Sequence, residues 1–283
     1  MKRFLVVSLI LALLMVSGFS YASIVGRIGH ERMIYPIVRV SAGQSVGSGT
    51  VIYSKDLEGG KFSTYILTNH HVISSEISIS NVWDSALKKD VKTERRGIVH
   101  VEIFKYRDMS TPVGTMKIEA DIVAYTERED MALLKLRFDD PVEHVATLPA
   151  RDKVSDYRVL DEAIAAGCSL GWPPLVSKGQ ISRIDLQSDS LPYDMSSAQI
   201  IFGNSGGAMF TGEGIFIGIP SRIAAMGWTA VVPHMGLFIP VHRVFDWLAS
   251  EHYDFVFDPT LTEKGCLEAR DQEIEAKKAR DRE

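Results

Sequence analysis

Short runs of alternating or β-branched residues follow one another along most of the chain, from Tyr35 to about Phe257. Such runs favour strands, and the segments rich in Gly, Pro and Ser between them, such as 58–61 and 110–112, favour turns. Many short strands with few long helical periods predict an all-β fold, either a barrel or a sandwich. The predicted strands are 37–40, 49–53, 65–68, 98–104, 116–124, 131–136, 163–166, 176–184 and 215–219.

One helix is predicted inside this region, at residues 241–248. Val244, Phe245 and Leu248 fall on one face at helical spacing, which is typical of a helix that packs this face against a core. A helix is therefore predicted near the end of the region of strands.

The pattern changes after Pro259, where 13 of the 21 residues from 263 to 283 are charged. A mixed run of this kind predicts a solvated helix or a disordered tail over 259–283. A helix that docks on the barrel or self-associates stays open as an alternative. The apolar stripe that such a helix could use is thin, since it consists of Leu267 and Ile274.

The first 22 residues also differ from the rest of the chain. Lys2 and Arg3 precede an apolar run at 4–16, and small residues within 17–22 place a cleavage point after Ala22. These features are typical of a secretory signal peptide, so we expect an exported protein, periplasmic or secreted. An uncleaved membrane anchor is the alternative, but the apolar run is short for a bilayer core, which needs about 20 residues. No stable membrane span is expected after cleavage.

Composition narrows the classes of function. The 283 residues are 46% hydrophobic and 24% charged, which is an ordinary globular balance. The formal charge is −5, so no basic surface for nucleic acid is expected. Two cysteines exclude a disulfide-rich scaffold and a four-cysteine zinc module, and no cofactor is predicted. Cys168 is favoured as a buried free thiol over a disulfide with Cys266.

Three segments carry residues that could act together in chemistry. Residues 65–73 are a strand that leads into a turn with two histidines, 129–136 place an acid directly before an apolar strand, and 202–209 set a serine among glycines. Hydrolysis of an amide by serine needs a base, an acid that orients the base, and donors for the oxyanion. The three segments supply one of each, and the N–H groups of Gly203 and Ser205 can converge on the oxyanion.

Six short motifs occur in one order along the chain, at residues 47–52, 67–72, 130–134, 166–171, 203–207 and 237–241. Together they resemble the trypsin-like serine peptidases, particularly the bacterial HtrA/Deg branch. The resemblance extends from Tyr35 to Leu248 and implies a pair of six-stranded β-barrels with the site between them. It also implies a peptidase domain over 23–258, with the junction between the barrels near 142–155. No PDZ domain is expected after this region.

The resemblance assigns catalytic roles residue by residue. His71 matches the general base because it directly precedes Val72. Asp130 matches the acid that orients the base, and Ser205 matches the nucleophile. Gly203 and Ser205 supply the oxyanion hole. The resemblance therefore implies a serine endopeptidase that forms an acyl-enzyme intermediate with a polypeptide substrate.

The resemblance also indicates the pocket that sets specificity. No carboxylate lies at its expected base, and burying an Arg or Lys side chain there without one is costly. We therefore expect small or medium uncharged side chains in this pocket. Residues 200–202 are apolar, whereas HtrA-like members usually carry polar residues or proline there. The expected pocket residues are Gln199, Gly218, Ile219, Pro220, Ser221 and Gly236.

Three other interpretations of these residues compete with a peptidase. A metal site at His70 and His71 is disfavoured, because neighbouring side chains on an extended segment point to opposite faces and cannot easily chelate one ion. An α/β-hydrolase would use Asp246 and His252, but its serine should precede a helix, whereas 208–212 has the pattern of a strand and a turn. A protease fold that has lost activity and serves as a binding protein stays open.

Residues 23–26, Ser-Ile-Val-Gly, are similar to the start of activated trypsin. In trypsin-like zymogens the new ammonium group is buried against an aspartate that directly precedes the nucleophile. In this chain that position is Asn204. A neutral amide cannot neutralise a buried ammonium, so we expect activity not to depend on a freshly cut N-terminus.

Overall fold

The computed structural model describes residues 26–57, 59–85, 88–226 and 230–280. The predicted signal peptide lies outside these ranges. Within them the chain forms two closed six-stranded barrels, which confirms the all-β fold that the strand pattern predicted and the pair of barrels that the resemblance implied.

The first barrel is built from the first half of the chain. Its strands are β1 (Ile37–Ala42), β2 (Ser45–Asp56), β3 (Phe62–Thr68), β6 (Ile98–Arg107), β7 (Thr111–Thr126) and β8 (Met131–Leu136). They lie in the order β1-β2-β3-β8-β7-β6, and β6 pairs with β1 to close the barrel. Inward-facing aliphatic side chains such as Val40, Ile66 and Leu134 are fully buried and fill its core.

A two-stranded hairpin, β4 (Ile77–Asp84) and β5 (Lys89–Arg96), separates β3 from β6 and forms its own small sheet. The pattern of the sequence did not predict it. Most positions of β5 are exposed and many are charged, so the alternation that marks a half-buried strand is missing.

The second barrel follows a connection that contains the predicted junction near 142–155. Its strands are β9 (Glu162–Gly167), β10 (Leu175–Ser188), β11 (Leu191–Ser196), β12 (Ala208–Thr211), β13 (Phe216–Met226) and β14 (Ala230–Pro240). They lie in the order β10-β11-β14-β13-β12-β9, and β9 pairs with β10. The sequence pattern missed β11, in which Pro192 weakens the strand signal.

Within the described ranges the barrels are accompanied by the α-helices α1 (His70–Ile73), α2 (Val241–Ser250) and α3 (Glu263–Arg280), and residues 26–29 are also helical. The prediction of a helix at 241–248 is confirmed, and α2 buries its apolar face in a cluster to which both barrels contribute. Single turns of π- or 3₁₀-helix lie at His30–Ile34, Ser74–Glu76, Arg151–Lys153, Ser169–Gly171 and Asp254–Val256.

The charged run after Pro259 forms the helix α3, and the first half of this helix docks on the first barrel. Cys266 is buried there, whereas Ile274 in the second half is exposed. The alternative prediction of a helix docked on the barrel is therefore correct for the first half of α3. The buried carboxylate of Glu263 anchors it by accepting hydrogen bonds from Ser63 Oγ (2.9 Å), Tyr65 Oη (2.7 Å) and Lys135 Nζ (2.8 Å).

Replacing Glu263 with alanine is expected to lower the free energy of unfolding by about 2 to 3 kcal/mol. The variant loses three hydrogen bonds and leaves the Lys135 ammonium, which is one third exposed, without its carboxylate. Urea unfolding measures the loss. The matched control is Glu268→Ala, because Glu268 is an exposed residue of the same helix, 3.9 Å from Lys264, and should cost less than about 0.5 kcal/mol. Equal losses in the two variants would contradict the anchor.

The two cysteines, Cys168 and Cys266, are buried and unpaired, which confirms the free thiol favoured for Cys168. Burial raises the pKa of the Cys168 thiol to about 12. A thiol with so high a pKa stays protonated and unreactive at neutral pH.

Candidate functional site

A short helix positions the two histidines at the end of β3. Asn69 is extended, and α1 begins at the next residue. The His71 ring faces the turn between β7 and β8, where its Nδ1 lies 2.9 Å and 3.0 Å from the two carboxylate oxygens of Asp130. The His71 backbone N–H also donates to Asp130 Oδ1 over 3.1 Å. The Asp130 carboxylate therefore holds both the imidazole ring and the backbone of His71.

Residues 70–73 form a helical turn, whereas an extended segment was expected to point His70 and His71 to opposite faces. The side chains diverge all the same, because successive residues of a helix are rotated by about 100°. The His70 ring stacks on Tyr125 with the ring centroids 5.4 Å apart. His71 is thus the histidine that contacts the acid.

Asp130 occupies a constrained turn with a φ of +56°. Asn69 Nδ2 donates to its carbonyl oxygen over 2.7 Å, and Ser221 Oγ donates to its Oδ2 over 2.7 Å. Burial disfavours the charged carboxylate, but the hydrogen bonds from His71 and Ser221 outweigh this effect and hold the pKa of Asp130 below its usual range. The carboxylate is therefore ionised beside the imidazole at neutral pH.

Ser205 lies in a tight loop whose shape requires glycine at two positions. Gly203 and Gly206 have φ values of +94° and +83°, which disfavour any side chain. A Cβ at Gly206 would lie 2.2 Å from the carbonyl oxygen of Ser48 and 2.3 Å from Thr68 Oγ1. Because Thr68 ends the strand that leads to the histidine turn, the serine loop packs directly against that turn.

The peptide that joins Phe202 to Gly203 is oriented by the loop opposite it. The N–H of Leu170 donates to the carbonyl oxygen of Phe202 over 2.8 Å. In a trans peptide the C=O and N–H groups point in opposite directions, so the N–H of Gly203 points away from Leu170. Across the described residues, the N–H groups of Gly203 and Ser205 donate to no protein acceptor. Both donors expected for an oxyanion are thus available.

Asn204, the residue before the serine, has a partner within the fold. Its side chain is buried, and its Oδ1 accepts a hydrogen bond from Ser169 Oγ over 2.5 Å. This contact supports the expectation that the loop is ordered without a buried ammonium. Residues 23–25 lie outside the described ranges, so independence from the cut N-terminus stays a prediction.

Two of the six expected pocket residues lie in the barrel core. The side chain of Ile219 is fully buried, and it packs in the cluster that both barrels share. Gly218 pairs with Met209 on one side and Pro240 on the other, and a Cβ there would lie 2.2 Å from the carbonyl oxygen of Ile239. The Ile219 side chain thus packs in the core, and the expectation that Gly218 and Ile219 line the pocket stays a prediction.

Two further expected pocket residues contact the loops that carry Ser205 and Asp130. The carbonyl oxygen of Pro220 accepts a hydrogen bond from the N–H of Gly206 over 3.2 Å. Ser221 gives its hydroxyl hydrogen to Asp130. Both contacts come from the second barrel, and the one from Ser221 reaches the acid of the first barrel.

Gln199 is exposed, and its carbonyl oxygen accepts a hydrogen bond from Ser177 Oγ over 2.8 Å, whereas Gly236 contacts an apolar side chain. A Cβ at Gly236 would lie 2.5 Å from Cδ1 of Ile200, so the isoleucine side chain rests on this glycine. Gly236 also pairs with Ile223 across β13 and β14. Ile200 is buried in a core cluster against which Ile223 packs, so a pocket lined by Gln199 and Gly236 stays a prediction.

Two further findings concern metal ions and membranes. In the described ranges, no group of three or more His, Cys, Asp or Glu side chains is arranged to hold a metal ion. No helix in that part of the chain is both long enough and apolar enough to cross a bilayer.

Comparison with known proteins identifies the class. Residues 47–219 match the family model of the trypsin-like peptidase domain, and this range is more than half of the chain. The protein therefore belongs to the family of trypsin-like peptidases.

Curated relatives and solved structures agree with this family. The chain is 31% identical over 214 residues to a serine protease Do-like HtrA of Lactococcus lactis subsp. cremoris, covering 71% of this chain and 43% of that protein. It is 28% identical over 184 residues to a probable periplasmic serine endoprotease DegP-like of Hahella chejuensis, covering 64% and 30%. The structure of the HtrA-type protease AlgW with tripeptide is similar in fold, with a TM-score of 0.56 at 20% identity over 81% of this chain and 64% of that one. The chain thus spans less than half the length of these two curated relatives.

Proposed function

We propose that this chain is an exported serine endopeptidase that hydrolyses polypeptides through His71, Asp130 and Ser205. The observation that supports this most strongly is the contact of Asp130 with His71 through both carboxylate oxygens, beside the loop of Ser205. With the Nδ1 proton donated to Asp130, the Nε2 atom of the imidazole is left as an acceptor. Catalytic hydrogen bonds such as that from serine to Nε2 often tighten only when substrate binds.

Acylation follows from these roles. Ser205 Oγ attacks the carbonyl carbon of the scissile peptide while His71 Nε2 takes the hydroxyl proton. The negative charge on the carbonyl oxygen is stabilised by the N–H groups of Gly203 and Ser205, and the imidazolium by Asp130. The C–N bond then breaks, and the imidazolium gives its proton to the leaving amine.

Deacylation repeats the same steps with water. His71 takes a proton from water, and the hydroxide attacks the ester carbonyl. The bond from carbon to Ser205 Oγ breaks, and the proton returns to the serine oxygen. The products are a free carboxylate, a free amine and the original enzyme.

A direct test compares the mature protein with its Ser205→Ala variant. Both are incubated with a reduced and alkylated protein and, separately, with a fluorophosphonate probe. Cleavage and labelling by the parent, and neither by the variant, are expected. A parent that binds the unfolded protein but neither cleaves it nor reacts with the probe would favour the alternative, a binding protein on a protease fold.

Export is the second part of the proposal. It rests on the pattern of residues 1–22 and on the periplasmic relatives. Expression of the full chain in a bacterium, followed by fractionation and N-terminal sequencing, should yield a periplasmic or secreted product that begins at Ser23. A full-length product in the membrane fraction would show the uncleaved anchor instead.

Specificity for small or medium uncharged side chains is expected in the pocket that Gln199 and Gly236 are proposed to line. None of the expected pocket residues carries a carboxylate, so a cation there would be buried without a partner. A peptide-library profile measures this preference, and dominant cleavage after Arg or Lys would contradict it. Ile200→Ala should admit larger apolar side chains and raise their kcat/KM at least about tenfold relative to alanine, since it removes the side chain that rests on Gly236.

A further inference from the structure

Arg243 of α2 reaches from the end of the second barrel to the residue beside Asp130. Its guanidinium is almost fully buried, and Nη2 and Nε donate to Glu129 Oε2 over 2.8 Å and 3.2 Å. Its Nη1 donates to the carbonyl oxygen of Pro192 in β11 over 2.7 Å. A buried guanidinium is tolerated only with such partners, so the position of Glu129 is tightly coupled to α2 and β11.

Tyr193 extends these contacts through the second barrel. The guanidinium carbon of Arg243 lies 5.1 Å from the centroid of its ring, and that of Arg222 lies 4.7 Å from it. The aromatic ring is completely buried, and its hydroxyl has no hydrogen-bond partner among the described residues. Tyr193 therefore acts on the two arginines through its ring face and not through its hydroxyl.

The contacts then return to the acid. Arg222 directly follows Ser221, whose hydroxyl donates to Asp130 Oδ2. Glu129, Arg243, Tyr193, Arg222 and Ser221 thus form a closed series of contacts, here named the acid-positioning network, that begins and ends beside Asp130. Ser221 connects the second barrel to the carboxylate of Asp130 itself. Arg243 makes the other connection through Glu129, the residue before Asp130.

We propose that the acid-positioning network sets the placement of Asp130 relative to the second barrel, with Glu129, Arg243 and Tyr193 as positioning residues. The inference rests on the proposed peptidase function. His71 and Asp130 come from the first barrel and Ser205 from the second, so the two barrels must be held in register at the site. A misplacement of about 1 Å can cost up to about a hundredfold in rate. The network spans the two barrels next to the acid and supplies this register.

Kinetics of Glu129→Gln and Tyr193→Leu test the proposal. Each variant should lower kcat about tenfold or more while KM stays within about twofold, since neither Glu129 nor Tyr193 is one of the expected pocket residues. The acid limb of the kcat/KM profile should move to lower pH, because a displaced Asp130 stabilises the imidazolium less. The titratable and charged groups on the elements packed around Asp130 are His70, His71, Glu129, Arg222 and Arg243.

Two further variants separate positioning from simple stability. Tyr193→Phe keeps the ring face and should recover at least about a third of the parent kcat. Asp246→Asn is the matched control, because it removes another carboxylate paired with an arginine of the chain, Arg151, on the same helix α2 but outside the network. It should leave kcat and the acid limb unchanged. Parental kcat and acid limb in Glu129→Gln and Tyr193→Leu, with only a lower melting temperature, would overturn the proposal.

A measurement without turnover keeps this inference separate from the proposed function. In the Ser205→Ala background, the proton shared by His71 Nδ1 and Asp130 should give a low-field ¹H resonance. Adding Tyr193→Leu or Glu129→Gln should shift this resonance upfield or broaden it, whereas adding Tyr193→Phe or Asp246→Asn should not. An unchanged resonance in the first two variants would refute the positioning role even if the parent proved inactive. Absence of Ser205-dependent cleavage would refute only the peptidase.

Discussion

Replacing Ser205 or His71 with alanine is expected to lower turnover of a peptide substrate at least about 10⁴-fold. The serine is the proposed nucleophile, and the histidine supplies the only imidazole that contacts Asp130 among the described residues. Without either one, proton transfer from nucleophile to leaving group fails. The double variant should lose little more than either single variant, because the residues act as one unit. Initial rates at saturating substrate measure all three.

The neighbouring histidine provides the control for this result. His70 stacks on Tyr125 and makes no contact with Asp130, so His70→Ala should retain substantial activity. Loss of activity in His70→Ala, with activity kept in His71→Ala, would reverse the assignment of the base. Independent, multiplying losses in the Ser205 and His71 variants would also contradict a shared role.

Local patterns in the sequence were sufficient to predict an all-β fold but not the closure of its strands into barrels. Alternation predicted many of the strands because one face of each is buried and the other is not. Which strand pairs with which is a non-local property, so the choice between barrel and sandwich came from the resemblance. The hairpin of β4 and β5 was missed because it buries neither face well enough to leave a pattern.

The candidate site was predictable to the extent that its residues lie in short motifs. His71, Asp130 and Ser205 each have distinctive neighbours in sequence. Ser221 and Arg243 have none, and their parts depend on contacts across 91 and 114 residues of chain. Arg243 even lies on the buried face of α2, where periodicity predicts an apolar residue. Polar contacts between the barrels therefore became visible only with the structure.

Gly206→Ala is expected to abolish activity while Ser205, His71 and Asp130 all remain in the chain. The new Cβ would lie 2.2 Å from the carbonyl oxygen of Ser48, which is backbone and cannot move aside easily. The φ of +83° adds conformational strain of about 1 kcal/mol. To relieve the clash, the loop must move away from the histidine turn, which separates Ser205 from His71, its proposed base. A loss of at least about 10³-fold in kcat follows from such a displacement.

Gly60→Ala isolates the strain from the clash. Gly60 has nearly the same φ, +81°, but a Cβ there meets nothing within 4 Å. This variant should lose about 1 kcal/mol of unfolding free energy and keep full activity, since it carries the backbone penalty alone. Gly206→Ala should lose several times more stability, together with its fluorophosphonate labelling. If the two variants were equally stable and equally active, the close packing of the serine loop on Ser48 and Thr68 would have no part in holding the nucleophile against the histidine.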